Sequence, residues 1–89
     1  MIKYYKTIEQ TRRLFYKVDE DKNNVECIEV VLNNDNVKLY VSTSNNTYDS
    51  VIYEAIHNYG IECNESEYNH ALLSLYKCTN TMKDEFNFN

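Results

Sequence analysis

The chain has 89 residues, which allows one domain with one modest core, because a second core needs more chain than this leaves. Apolar and aromatic residues make up 43% and charged residues 26%, an ordinary globular composition that excludes a disordered one. Net charge is −5, and no stretch approaches the roughly 20 apolar residues of a membrane span, so a membrane protein and a strongly basic nucleic-acid binder are both disfavoured.

From Met1 to Arg13 the pattern is open. Thr7 with Gln10 three residues on fits a capping box, and a short helix from about Ile8 follows from it. Ile2-Lys3-Tyr4-Tyr5 instead favours an edge strand. From Leu14 the signal is strand: Leu14, Tyr16 and Val18 alternate with Phe15 and Lys17. Asp19 to Asn24 is a polar turn. Val25 to Leu32 is the strongest strand, with Ile28, Val30 and Leu32 on one side and Cys27, Glu29 and Val31 on the other. Asn33 to Asn36 forms a turn in which Asn or Asp supplies the positive φ usually left to glycine. Val37, Leu39 and Val41 alternate with Lys38, Tyr40 and Ser42 in a third strand. Residues 14–42 thus read as a three-stranded antiparallel meander.

Two amphipathic helices follow. Over 47–59, Tyr48, Val51, Ile52, Ala55, Ile56 and Tyr59 form one stripe, and Gly60 stands where a left-handed C-cap would end it. Asn64 with Glu67 opens a second helix over 65–80, with Tyr68, Ala71, Leu72 and Leu75 as its stripe. Residues 83–89 are expected to fray. The predicted fold is a single α+β domain over 1–89, with both helices on one sheet face and a short N-terminal helix as an open alternative. The other sheet face would carry a mixed surface including Cys27, Glu29, Val31 and Tyr40.

Charge is uneven along the chain. Residues 1–22 hold six basic groups (Lys3, Lys6, Arg12, Arg13, Lys17, Lys22) and four acids (Glu9, Asp19, Glu20, Asp21). Residues 23–89 hold three basic groups and ten acids. The acidic excess either keeps a small protein soluble or meets a basic partner. Three cysteines at irregular spacing argue against a disulfide framework and for a reducing compartment, and no signal peptide is visible. The expected location is therefore the cytoplasm, that of a host cell if a phage encodes the chain. The abundance of Asn, Lys, Ile, Tyr and Glu points to an AT-rich genome.

Chemistry-bearing groupings are sparse. His57, Cys63, His70 and Cys78 are the one candidate metal set, but no paired close ligands such as CxxC occur. A Cys–His nucleophile would lack an orienting group and an oxyanion hole. No glycine-rich phosphate loop is present. No cofactor, metal site or catalytic residue is therefore assigned. The stretch Arg12-Arg13 with Lys3, Lys6, Lys17, Tyr4, Tyr5, Phe15 and Tyr16 is the one basic–aromatic segment suited to single-stranded nucleic acid.

The run Ile28-Glu29-Val30-Val31-Leu32-Asn33-Asn34-Asp35, then Leu39-Tyr40-Val41-Ser42, then a polar break and a helix over Tyr48–Tyr59, resembles small acidic phage anti-CRISPR proteins that inhibit Cas9. The resemblance covers residues 25–76. It implies that Asp35, Asp49, Glu54, Glu62, Glu65 and Glu67 stand in for phosphates against a basic nucleic-acid channel. The N-terminal segment departs from that pattern by being basic. Adding the exposed strand aromatic Tyr40, these residues are the expected partner-binding set. The leading expectation is a non-enzymatic protein–protein interaction module, an inhibitor of a host nucleic-acid-binding defence complex. The alternatives are a small homo-oligomeric structural domain, a homodimer for instance, and a single-stranded nucleic-acid binder.

Overall fold

The structure, a computed structural model, describes residues 1–32, 39–76, 86 and 88. One five-stranded antiparallel sheet forms its centre, in the order β4-β3-β2-β1-β5. The strands are β1 (Ile2–Ile8), β2 (Arg12–Asp19), β3 (Asn24–Leu32), β4 (Leu39–Thr47) and β5 (Ile61–Cys63). Helix α1 (Ser50–Tyr59) lies between β4 and β5, and α2 (Glu65–Leu73) runs on into a 3-10 turn, Ser74–Tyr76. The fold is α+β, but it is not a three-stranded meander followed by two helices. Two more strands join the sheet, and β5 separates the helices.

The N-terminal segment is a strand and not a helix. Ile2–Ile8 pairs along its whole length with β2, from Ile2 opposite Asp19 to Ile8 opposite Arg13. Its other edge pairs with β5, Tyr4 opposite Cys63. Seven residues bonded on one side and partly on the other outweigh the single cap that Thr7 offered. Thr7 is instead buried in the sheet.

The helices sit on opposite faces. Phe15 and Val18 in β2, and Ile28 and Val25 in β3, are each three residues apart, so in a strand they must point to opposite sides. All four are buried. Phe15, Ile28, Val30 and Leu32 pack with Tyr68 and Ala71 of α2. Val18 and Val25 pack with Ile56 of α1, flanked by Tyr5, Tyr16, Tyr48 and Ile52. The expectation of two helices on one face is corrected accordingly: the sheet is covered on both sides, in three layers.

Local signals set the helix ends. Asp49 caps α1, accepting from the Ile52 amide at 3.0 Å. Asn64 and Glu67 form a complete capping box at the start of α2. Gly60 ends α1 with φ −77°, so it is not the left-handed cap expected from its type. It is needed for closeness: a Cβ there would collide with the Ile56 carbonyl oxygen. Among the described residues a positive φ occurs at Asn23, in the β2–β3 turn.

The predicted helical stripes are only half right. In α1, Ile56 is buried, while Val51 and Tyr59 are exposed. In α2, Tyr68 and Ala71 are buried, and Leu72 and Leu73 are not. Phe86 and Phe88, expected in a frayed tail, are each only 5% exposed. Phe86 meets Phe15 edge-on at 6.0 Å, and the Arg13 guanidinium stacks 4.2 Å from the Phe88 ring centre. The Arg13 Nε also donates to the Phe86 carbonyl at 3.1 Å. Among the described residues no helix is long and apolar enough to cross a membrane. The predicted Asn33–Asn36 turn and the 77–80 end of the second helix lie outside the described residues.

Candidate interaction surface

α1 covers only part of its sheet face. Ile52 and Ile56 turn inward, and Ala55 and Tyr59 lean over the β1–β2 end of the sheet. There they close a groove of about 440 Å³ with Thr7, Ile8, Glu9, Arg12, Leu14 and Tyr16. That volume lies within the usual range of small-ligand and side-chain pockets. The Thr7 hydroxyl is buried beside Tyr16 but makes no well-formed hydrogen bond. Burial pushes the Tyr16 hydroxyl pKa up, so it stays protonated and available as a donor at neutral pH.

α1 leaves three large apolar side chains uncovered: Val51 is 72% exposed, Tyr59 is 76% exposed, and Tyr53 is also exposed. Val51 and Tyr53, two positions apart, lie on opposite flanks of the helix, and Tyr59 borders the groove. The exposed Ile61 is paired with Lys6 and so faces the α2 side of the sheet. Tyr53 stacks on His57, ring centres 4.0 Å apart, which places that histidine on the helix surface. Residues 39–76 contain five acids (Asp49, Glu54, Glu62, Glu65, Glu67) and no Lys or Arg. The exposed apolar side chains of α1 are thus accompanied by negative charge alone within this stretch.

The expected partner-binding residues do not form one cluster. Asp35 lies outside the described residues. Asp49 is occupied as the α1 cap. Glu54 is exposed on α1, and Glu62 is exposed on β5 opposite Tyr5, on the α1 side. Tyr40 is exposed on β4 opposite Val31. Glu65 and Glu67 start α2, on the other face of the sheet. Glu67 also bonds Lys6 at 2.7 Å, and that bond holds its carboxyl below the usual carboxylate range. Of the set, Asp49, Glu54 and Glu62 share the α1 side of the sheet. Sequence periodicity missed the exposed side chains of α1 because it assigned Val51 and Tyr59 to the buried stripe.

The N-terminal cations are mostly committed. Lys3 pairs with Glu20 at 3.2 Å, Lys6 with Glu67, and Arg12 with Glu9 at 2.6 Å and Glu29 at 3.3 Å. Arg13 is held against the tail, and its neighbour Phe15 is core. The basic–aromatic stretch is therefore folded into ion pairs and core instead of forming an open stacking platform.

A second cleft, of about 340 Å³, lies on the α2 side over Phe15 and Phe86, edged by Lys6, Arg13, Glu67 and His70. Its charges serve structure: Lys6 neutralises Glu67, Arg13 holds Phe86, and His70 lies 5.3 Å from the Phe86 ring.

Cys27 and Cys63 are half-buried free thiols, and burial pushes each up to about 11. A nucleophilic or metal-binding cysteine needs the opposite shift. Among the described residues no three His, Cys, Asp or Glu side chains converge to hold a metal ion, and Cys78 lies outside those residues. Comparisons with protein-family models, with curated proteins and with solved structures each return no match to this chain.

Proposed function

We propose that this chain is a non-enzymatic protein-binding module that engages a larger protein or nucleoprotein complex through the exposed side chains of α1 and the groove beside it. The observation that carries this reading is the exposure of Val51, Tyr53 and Tyr59 on one short helix, with Tyr59 at the edge of the groove. Single exposed apolar residues are common, but three on one ten-residue helix beside a groove suit an interface. Tyrosine suits such a place, since it buries a large apolar face and keeps a polar tip. The acids bordering α1 would raise the association rate with a basic partner and disfavour acidic ones.

The likeness in element order to Cas9 inhibitors supplies the first partner to try, a guide-loaded Cas9. Inhibition there would rest on occupying a basic nucleic-acid channel. The test is a titration of the purified chain into guide-loaded Cas9, followed by calorimetry and by target-DNA cleavage. Binding should weaken with added salt and fall at least tenfold in Val51→Asp and in Tyr59→Ala, both of which change exposed side chains. If cross-links to a partner captured in cells map away from α1, or if both variants bind like the parent, the α1 reading is wrong. If guide-loaded Cas9 is simply not bound, the inhibitor assignment falls and the α1 surface remains to be tested on the captured partner.

A further inference from the structure

The two edges of the sheet are unlike each other. β5 is three residues long and carries Glu62, a short and charged edge of the kind that resists unwanted pairing. β4 is nine residues long, Leu39–Thr47, and among the described residues it pairs with β3 on one side only. Its sequence holds no charged residue, no proline and no glycine. Its register with β3 is unbroken from Leu32 opposite Leu39 to Asn24 opposite Thr47, so no bulge turns it aside. Length, lysine, proline and bulges are the usual means of blocking an edge, and β4 uses none of them. Six successive side chains, Ser42 to Thr47, are exposed, so none of these positions is occupied in packing the core.

We infer that β4 is a self-association edge, pairing antiparallel with β4 of a second copy about a two-fold axis and joining the two sheets into one. A strand that meets itself antiparallel must be compatible with its own reverse. With the axis near Thr43, that residue faces its own counterpart. Ser42 then faces the partner's Ser44, Val41 the partner's Asn45, Tyr40 the partner's Asn46 and Leu39 the partner's Thr47. No like charges meet, and hydroxyl pairs at the centre are among the favourable cross-strand combinations. The same neutrality argues against a foreign strand, because β4 offers no charge with which to select one. This contact is separate from the α1 surface and does not depend on it.

The experiment is sedimentation or light scattering over a wide dilution series, with the parent chain, Thr43→Lys and Thr43→Glu. Thr43 is exposed, so the folded monomer tolerates either change, which circular dichroism will confirm. The parent should show a mass twice that of one chain, falling on dilution. Each variant alone should be monomeric, since like charges then face each other at the axis. An equimolar mixture of the two should recover the doubled mass. A parent chain that stays monomeric at every concentration overturns the proposal, including one that instead takes up an extended peptide along β4. A dimer that survives in both single variants overturns the assignment to this edge.

Discussion

At the scale of single residues, several types serve ends that their identity alone does not reveal. Gly60 adopts a φ open to any residue, yet the Ile56 carbonyl leaves no room for a methyl group. Gly60→Ala should therefore cost about 1–3 kcal/mol, the usual penalty for forced overpacking, read as a lowered denaturation midpoint. A residue chosen for backbone freedom would lose far less on acquiring a Cβ at this φ. The thiols give a pH prediction. Their ordinary value is 9.0, and in the folded chain Cys27 and Cys63 stand at about 11. An acid whose folded value is raised contributes stability that is full below the unfolded value and lost as pH rises through the folded one. Tyr16, Tyr48 and Tyr68 shift in the same direction, chiefly through burial. Chemical denaturation should thus show stability falling between pH 9 and 11, and less steeply in Cys27→Ser with Cys63→Ser. A flat profile over that window would contradict the burial of these groups.

At the scale of elements, the central strands and the start of α2 are written locally and were legible. Alternation marks β3, and Asn64 with Glu67 marks α2. The pattern sets the start of α1 too early, at 47, because Ser44–Thr47 looks like a polar break; β4 in fact runs on to Thr47, and Asp49 is the cap. In the sequence β1 stays open between a helix and an edge strand, and β5 is missed altogether. A three-residue strand has no period to detect, and Ile2–Ile8 is defined by β2 and β5 on either side of it. The placement of α1 was missed for a different reason. A helical stripe says that a helix buries something, not which face of a sheet it buries. The clue was present in β3, where Val25 and Ile28 cannot both point the same way along a regular strand. The tail shows the same limit: Phe86 and Phe88 in a polar segment look like frayed residues until Phe15 and Arg13 are placed beneath them. Phe86→Ala should cost about 3–5 kcal/mol, the range for an aromatic lost from a core, and a thermal or urea titration measures it.

For the whole molecule, the arrangement separates two surfaces. α1 sits over β1, β2 and the start of β3, while the open edge of the sheet among the described residues is β4. Pairing through β4 would leave both α1 surfaces outward, so the dimer would be bivalent for a partner with repeated or clustered sites. Apparent affinity for such a partner would then exceed that of the Thr43→Lys monomer without any change in the contact itself. The proposed partner-binding surface was only partly legible in the sequence. The acidic bias was visible from composition, but its distribution was not. Glu67, Glu29, Glu9 and Glu20 are taken up in ion pairs, and Glu65 faces away from α1. What remains around α1 is a smaller acidic border beside scattered exposed apolar side chains, and pattern rules had counted Val51 and Tyr59 among them as core.

The contact between Arg13 and Phe86 spans 73 positions of the chain. Closing so long a loop costs entropy before any contact repays it, so pairings of this kind form after local hairpins are in place. The β2–β3 hairpin can assemble early, with Phe15, Ile28 and Val30 still uncovered on the α2 side. The aromatic tail would then act as a latch applied last. A change at the latch should leave the folding rate almost untouched and appear as faster unfolding. For Phe86→Ala, stopped-flow refolding and unfolding limbs measure this directly, and equal slowing of refolding would place the latch in the nucleus instead.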